Sequence, residues 1–146
     1  MLAFGSLLIL VVAGMDRLFN STNPFTLNIK IASLIVIVLG YVLASWALIE
    51  NRFFSGVVRI QTDRDHRVVT TGPYRFIRHP GYAGTFWTYL AIPLLLDSLW
   101  AFIPTFMLVC VLVLRTSLED RTLQAELPGY KEFTQKTRYR LLPGIW

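Results

Sequence analysis

The sequence predicts an all-α protein, a polytopic transmembrane helix bundle of about four spans. Three observations predict it. Of 146 residues, 54% are hydrophobic and only 16% charged, and the mean hydropathy is +0.52, a chain too apolar for an ordinary soluble domain and too short for two. The apolar residues fall in runs that can cross a bilayer. The basic residues collect in two of the connections between those runs.

For Leu2–Met15, apolar but short, three readings stand: a signal-peptide core, a short span, or what remains of a longer one. No basic segment precedes it and no small-residue cleavage site follows it, so we read a retained helix at 2–15 and expect the natural reading frame to begin earlier. Ile29–Ile49 is 21 residues with one charge near its start. As a helix it measures about 31 Å, enough for a hydrocarbon core of roughly 30 Å. Tyr82–Leu114 is too long for one crossing and is interrupted by Asp97 and Ser98, with Pro93 and Pro104 on either side. Two spans follow, at 82–96 and 99–114, joined by a tight turn. The prolines read as membrane-helix kinks whose freed carbonyls find partners on neighbouring helices.

Charge orients the array. Arg52, Arg59, Arg64, Arg67, Arg75 and Arg78 lie in the second connection, and Arg115, Arg121, Lys131, Lys136, Arg138 and Arg140 in the tail. The first connection holds only Arg17 and Lys30, and the Asp97 turn holds no basic residue. The positive-inside rule places the second connection, the tail 115–146 and both ends in the cytoplasm, and we expect a bacterial inner membrane. Anionic lipid headgroups account for the net charge of +5. Nucleic acid is not expected, because the cations flank spans and form no stripe interleaved with stacking aromatics.

Several chemistries are excluded. Cys110 is the sole cysteine, so there is no disulfide framework or thiolate zinc site; mid-helix, it reads as a buried small apolar residue. His66 and His79 stand 13 residues apart, not a metal-ligand spacing. No Gly-x-Gly occurs, which removes the Rossmann fingerprint.

What remains polar lies in two places. In "TTGPYRFIRHPGY", Gly72 and His79 precede prolines and are biased out of the helical region, so the chain turns twice. Such a loop is either an anion cradle or a rigid elbow into the third span. Arg115 and Glu119 are four apart at the cytoplasmic end of the last span and share a helix face, with Asp120 about a quarter turn away. They form either a solvated ion pair or a pair directed into the bundle. "PGY" at 128–130 ends that helix. Beyond it Tyr130 and Phe133, with Lys131, Glu132, Gln135 and Lys136, form a short amphipathic helix read as interfacial, a lid or a wall.

The order of these motifs is informative. "RHPGYAG" at Arg78–Gly84, then Arg115-x-x-x-Glu119-Asp120, Gly129-Tyr130, Phe133 and "RYRLLPGIW" resemble the isoprenylcysteine carboxyl methyltransferase family and its phospholipid methyltransferase relatives, from about Gln61 to the C-terminus. The resemblance implies an integral membrane enzyme that uses S-adenosylmethionine without a Rossmann domain, with a cytoplasmic cofactor-binding loop at 59–82. It also implies roles. Gln61, His66, Arg67, Val68 and Val69 match a segment that contacts the cofactor. Tyr74, His79, Pro80, Gly81 and Tyr82 match the central cofactor-binding elements, Glu119 the acidic residue that binds cofactor, and Arg115 an arginine on the substrate side. Asp120 stands where a second glutamate is common, Phe133 where a tyrosine is frequent, and the Gln61 to His66 spacing is shorter than in eukaryotic members.

The residue types suit that ligand, which presents a carboxylate, an ammonium, a diol, an adenine and a sulfonium. Arg115 and Glu119 are then the catalytic candidates, Arg115 holding an anionic, lipid-like or membrane-delivered acceptor. Carboxylate O-methylation is the expected reaction and needs no metal. In a phospholipid N-methyltransferase, which the same motifs would also fit, Glu119 or Asp120 would take the proton of an amine. A sterol-reductase-like NADPH oxidoreductase and a non-catalytic membrane scaffold complete the range of functions compatible with these motifs.

Overall fold

A computed structural model describes residues 2–19, 24–54 and 67–146. Gln61 and His66 lie outside the described residues. Among those described, the chain is helical and contains no strand. Its helices are α1 (Leu2–Phe19), α2 (Leu27–Glu50), α3 (Pro80–Leu95), α4 (Phe102–Glu126) and α5 (Tyr130–Lys136), with a 3-10 turn at Gly72–Arg75. Two of them, α2 and α4, are long and apolar enough to cross a membrane.

The helices expected at 2–15, 29–49, 82–96 and 99–114 have counterparts, with two corrections inside the last long helix, and of the expected loop at 59–82 only residues 67–82 are described. The turn at Asp97 and Ser98 divides the apolar stretch as expected, but Pro104 falls in the first turn of α4 and kinks nothing. There its missing N–H has no intrahelical carbonyl to lose. Cys110 is exposed. A helix that is apolar on every side gives no sequence signal for which face is covered.

The chain forms two compact units. The first comprises Met1–Tyr41 and Gly84–Leu112. Ile9, Ala13, Tyr89, Ala101 and Leu108 form its core, with Ile92, Leu96 and Val109 against it. Gly40 sits where a side chain cannot fit: a Cβ there would meet the Gly84 carbonyl oxygen at 2.7 Å and overlap the Thr88 hydroxyl. Small residues permit such close helix approach in membrane bundles. Gly40→Ala is therefore expected to destabilise the protein by on the order of 1–3 kcal/mol through overpacking. An unchanged unfolding midpoint in detergent would show that the helices do not approach this closely.

Asp97 closes the turn of this unit in the left-handed region, φ 62°, which aspartate tolerates better than most residues. Its carboxylate accepts from the Phe25 amide at 3.0 Å and from Lys30 Nζ at 2.6 Å, with Arg17 at 3.7 Å. Beside it Ser98 donates to Asp16 at 2.5 Å and accepts from the Ala101 amide. The Lys30 hydrogen bond, helped by the Phe25 amide and Arg17 and opposed by desolvation, holds the Asp97 carboxyl below its ordinary value of 3.8. A depressed folded-state value means stability that is present above pH 3.8 and lost as pH falls through the lower folded value. Acid titration of the unfolding midpoint is expected to show that loss, and Asp97→Asn is expected to remove its share. Identical acid profiles for the two proteins would contradict it.

The second unit comprises Val42–Ala83 and Val113–Trp146. Ala47, Tyr74, Leu127, Tyr130 and Phe133 form its core, with Val68, Val69 and Leu123 packed on it. The chain enters the 3-10 turn through Gly72 at φ 55°, a conformation that favours glycine. The Thr71 hydroxyl donates to Glu50 at the end of α2. Pro80 opens α3, with His79 as the residue before the helix whose carbonyl accepts the first turn's bond from the Ala83 amide at 3.0 Å. The tail folds back on this entry: the amides of Arg78 and His79 donate to the carbonyls of Tyr139 and Arg140 at 2.9 and 3.0 Å.

Candidate active site

Within the second unit, helix periodicity directs two adjacent acids to different fates. Glu119 keeps 22% of its side-chain surface exposed, whereas Asp120 keeps none. One residue along a helix is a rotation of about 100°.

Glu119 faces the start of α3. The Tyr82 hydroxyl donates to Glu119 Oε2 at 2.7 Å and accepts from Arg115 Nε at 2.8 Å. Arg115 and Glu119 thus share a face, as their spacing predicts, and meet on a phenol from another helix. The Arg115 guanidinium lies 5.8 Å from the Tyr82 ring centroid, and Phe54 meets that ring edge-on at 6.4 Å. The His79 ring stacks on Tyr82 at 5.8 Å, with an interplanar angle of 10°. His79 Nδ1 lies 3.9 Å from Glu119 Oε1.

Asp120 is the hub behind this surface. Its Oδ1 lies 2.9 Å from Arg78 Nε and 3.3 Å from His79 Nε2, and accepts from the Tyr130 hydroxyl at 3.0 Å. Its Oδ2 accepts from Arg78 Nη2 at 3.1 Å, Arg140 Nε at 2.9 Å and Gln124 at 2.8 Å. Arg78 also donates to the carbonyls of Thr137 and Arg138, so one buried guanidinium ties α4 to the tail. Burial, followed by the nearby Asp120 charge, raises the Tyr130 phenol well above its usual value, so that it remains a donor. With both oxygens engaged and no exposure, Asp120 is unsuited to taking a proton from an acceptor.

The remaining sequence-derived candidates are placed as follows. Tyr74 is in the core, its hydroxyl accepting from Asn51 at 3.2 Å and donating to the Ala47 carbonyl at 3.3 Å; burial raises this phenol too. Val69 packs on the same core. Arg67 and Val68 line a cleft of about 410 Å³ with Thr70, Gly129, Phe133 and Lys136. Pro80 and Gly81 form the first turn of α3, and a Cβ on Gly81 would make only ordinary contact with Phe54 and Ala47. Among the described residues no cluster of metal-ligating side chains occurs.

Sequence reasoning did not join Asp120, Arg78, Arg140 and Tyr130 to one another. One signal was available: ionisable residues in an apolar chain need a partner of opposite sign. Nothing in the spacing paired Asp120 with Arg78, 42 residues away, or with Arg140, 20 residues away.

Comparison with known proteins places this arrangement. The isoprenylcysteine carboxyl methyltransferase family profile matches residues 33–125. The chain belongs to the isoprenylcysteine carboxyl methyltransferase family. It is similar to a probable protein-S-isoprenylcysteine O-methyltransferase of Oryza sativa subsp. indica, 35% identical over 57 residues, covering 38% of this chain and 30% of that protein. It is also similar to the protein-S-isoprenylcysteine O-methyltransferase of Saccharomyces cerevisiae, 35% identical over 68 residues, 47% of this chain and 26% of that protein. The solved structure of the eukaryotic intramembrane Ras methyltransferase, an isoprenylcysteine carboxyl methyltransferase, superposes with a TM-score of 0.79 at 23% identity, over 98% of this chain and 52% of that one. That likeness establishes the fold. The chain thus spans about half of the solved relative, and the matched stretches less than a third of the curated ones.

Proposed function

We propose that this membrane protein is an S-adenosylmethionine-dependent methyltransferase that esterifies a carboxylate on a lipid-like or membrane-delivered acceptor. The observation that carries the reading is the Tyr82 hydroxyl held between Arg115 and Glu119, beside a buried histidine. In one place it combines a cation for an acceptor carboxylate, an accessible carboxylate for a cationic ligand group, and an aromatic wall.

This donor set fits the cofactor. Glu119 would hold its ammonium, and His79 and Tyr82 would form a wall beside it; Arg67, Val68, Val69, Tyr74, Pro80 and Gly81 are the other described residues we assign to it, with Gln61 and His66 completing the loop. When bound, S-adenosylmethionine supplies an electrophilic methyl carbon whose bond to sulfur breaks as the acceptor oxygen forms its own, leaving a neutral thioether and a methyl ester. No proton moves in that step, so Arg115 and Glu119 act by orientation. Arg115 turns the acceptor carboxylate toward the methyl carbon, and Tyr82 fixes the relative position of the two charges.

We infer four spans, α1 to α4, with the basic connection, the tail and the site facing the cytoplasm of a bacterial inner membrane, and α5 lying at the membrane surface. The family matches favour carboxyl methylation over phospholipid N-methylation and over a reductase activity. The test is incubation of the purified protein with membrane extract and methyl-labelled cofactor. We expect label in a lipid-soluble product that mild base releases as methanol, the behaviour of an ester. Base-stable label would indicate N-methylation and overturn the reading.

A further inference from the structure

The Asp120 hub sets the hydrogen placement on the His79 ring that lies between it and Glu119. A carboxylate offers about four lone-pair directions; here Arg78 Nη2, Arg140 and Gln124 donate to Oδ2 and Tyr130 donates to Oδ1, where His79 Nε2 also approaches. Arginine has no acceptor. The carboxylate is therefore ionised and purely accepting, and His79 Nε2, 3.3 Å from Oδ1, must carry a hydrogen, since two acceptors would repel at that distance. The second ring nitrogen is left toward Glu119. At 3.9 Å, Nδ1 and Glu119 Oε1 are too far apart for a hydrogen bond with each other. The gap suits one amine that donates to both at about 2.9 Å.

We propose that Asp120 is a positioning residue, which fixes His79 as the Nε2–H tautomer and so makes Nδ1 and Glu119 Oε1 a paired acceptor site for a cationic amine. For the identity of the amine, the ammonium of the cofactor, the inference rests on the methyltransferase reading. For the tautomer it does not. The hub is assembled from α4, the entry to α3, α5 and the tail, so the tail reaches the ligand site through one imidazole. Tyr82 stacking holds the ring plane while Asp120 fixes its hydrogen.

The test begins with the ligand-free protein, labelled with ¹⁵N at histidine, in detergent at pH 8; His79→Ala assigns the signals. The expected spectrum for His79 has a protonated Nε2 and an unprotonated Nδ1. A protonated Nδ1, in either the other tautomer or the imidazolium, overturns the proposal whether or not any variant folds. Folded Asp120→Asn, whose amide can present N–H to the ring, is expected to move His79 toward the Nδ1–H form; an unchanged pattern overturns the positioning role. Binding then tests the amine. S-adenosylhomocysteine is expected to bind about tenfold or more tighter than its analogue lacking the α-amino group, with the difference shrinking in His79→Ala. Equal affinities in the unaltered protein overturn the paired acceptor site. If neither ligand binds, the methyltransferase reading fails, and the tautomer measurement still decides the role of Asp120.

Discussion

Asp120→Ala is expected to cost about 3–5 kcal/mol of stability, because removing one member of a buried ion pair strands the other. Arg78, whose side chain is 8% exposed, would keep its two carbonyl partners but lose its countercharge. Arg140 and the Tyr130 hydroxyl would lose the same acceptor. Thermal unfolding in detergent measures the effect, and Arg140→Ala calibrates it. Because Arg140 is 27% exposed, water can replace part of what its loss removes, and its variant should be the milder of the two. Equal, small changes in both would mean that the hub is not what joins α4 to the tail. Replacing Asp120 by leucine and Arg78 by methionine together should cost less than the sum of the single changes, since the pair is coupled.

Glu119→Gln is expected to leave the ligand-free protein close to its original stability while weakening S-adenosylhomocysteine binding about 10- to 100-fold, the range for losing a hydrogen bond to a charged group. The amide oxygen can still accept from Tyr82, and the site is already partly open to water, so folding loses little. The charge is what a cationic ligand would lose. The readout is the ligand-induced rise in unfolding midpoint, which follows mass action. An undiminished rise in the variant would remove Glu119 from the cofactor site. Loss of stability without ligand would recast it as structural. The contrast with Asp120 is the sharper result: of two neighbouring acids, one is expected to be dispensable for folding and the other is not.

That contrast marks the limit of what could be read from residue order. The 100° step per helical residue assigns Glu119 to the Arg115 face and sends Asp120 elsewhere, but it does not say which direction is covered. The helices themselves were legible. The predicted span at 29–49 lies within α2, the Asp97 turn separates α3 from α4, and Pro128 ends α4 two residues after Glu126. Length against bilayer thickness, proline and glycine chemistry, and the lack of backbone partners in hydrocarbon suffice for this. Cys110 and Pro104 were misread for one reason: burial within an apolar helix and position within its first turn depend on neighbours and start points that composition does not encode.

The site was half legible. Motif order placed Arg115, Glu119, His79 and Tyr82 together by resemblance, and helical spacing put the first two on one face. The phenol that joins them comes from another helix, 33 residues before Arg115 and 37 before Glu119.

The sequence by itself therefore determined an all-helical, membrane-suited chain, its turns, its charge asymmetry and its family, because each is set by local chemistry or by the order of motifs. Only the tertiary structure decided that Asp120 is a buried hub and Glu119 an accessible acid, that Tyr74 packs in the core, and that the tail closes on Arg78. Those outcomes depend on contacts between residues tens of positions apart, and in a buried polar network it is the complete set of partners that decides each group's charge and hydrogen-bonding role.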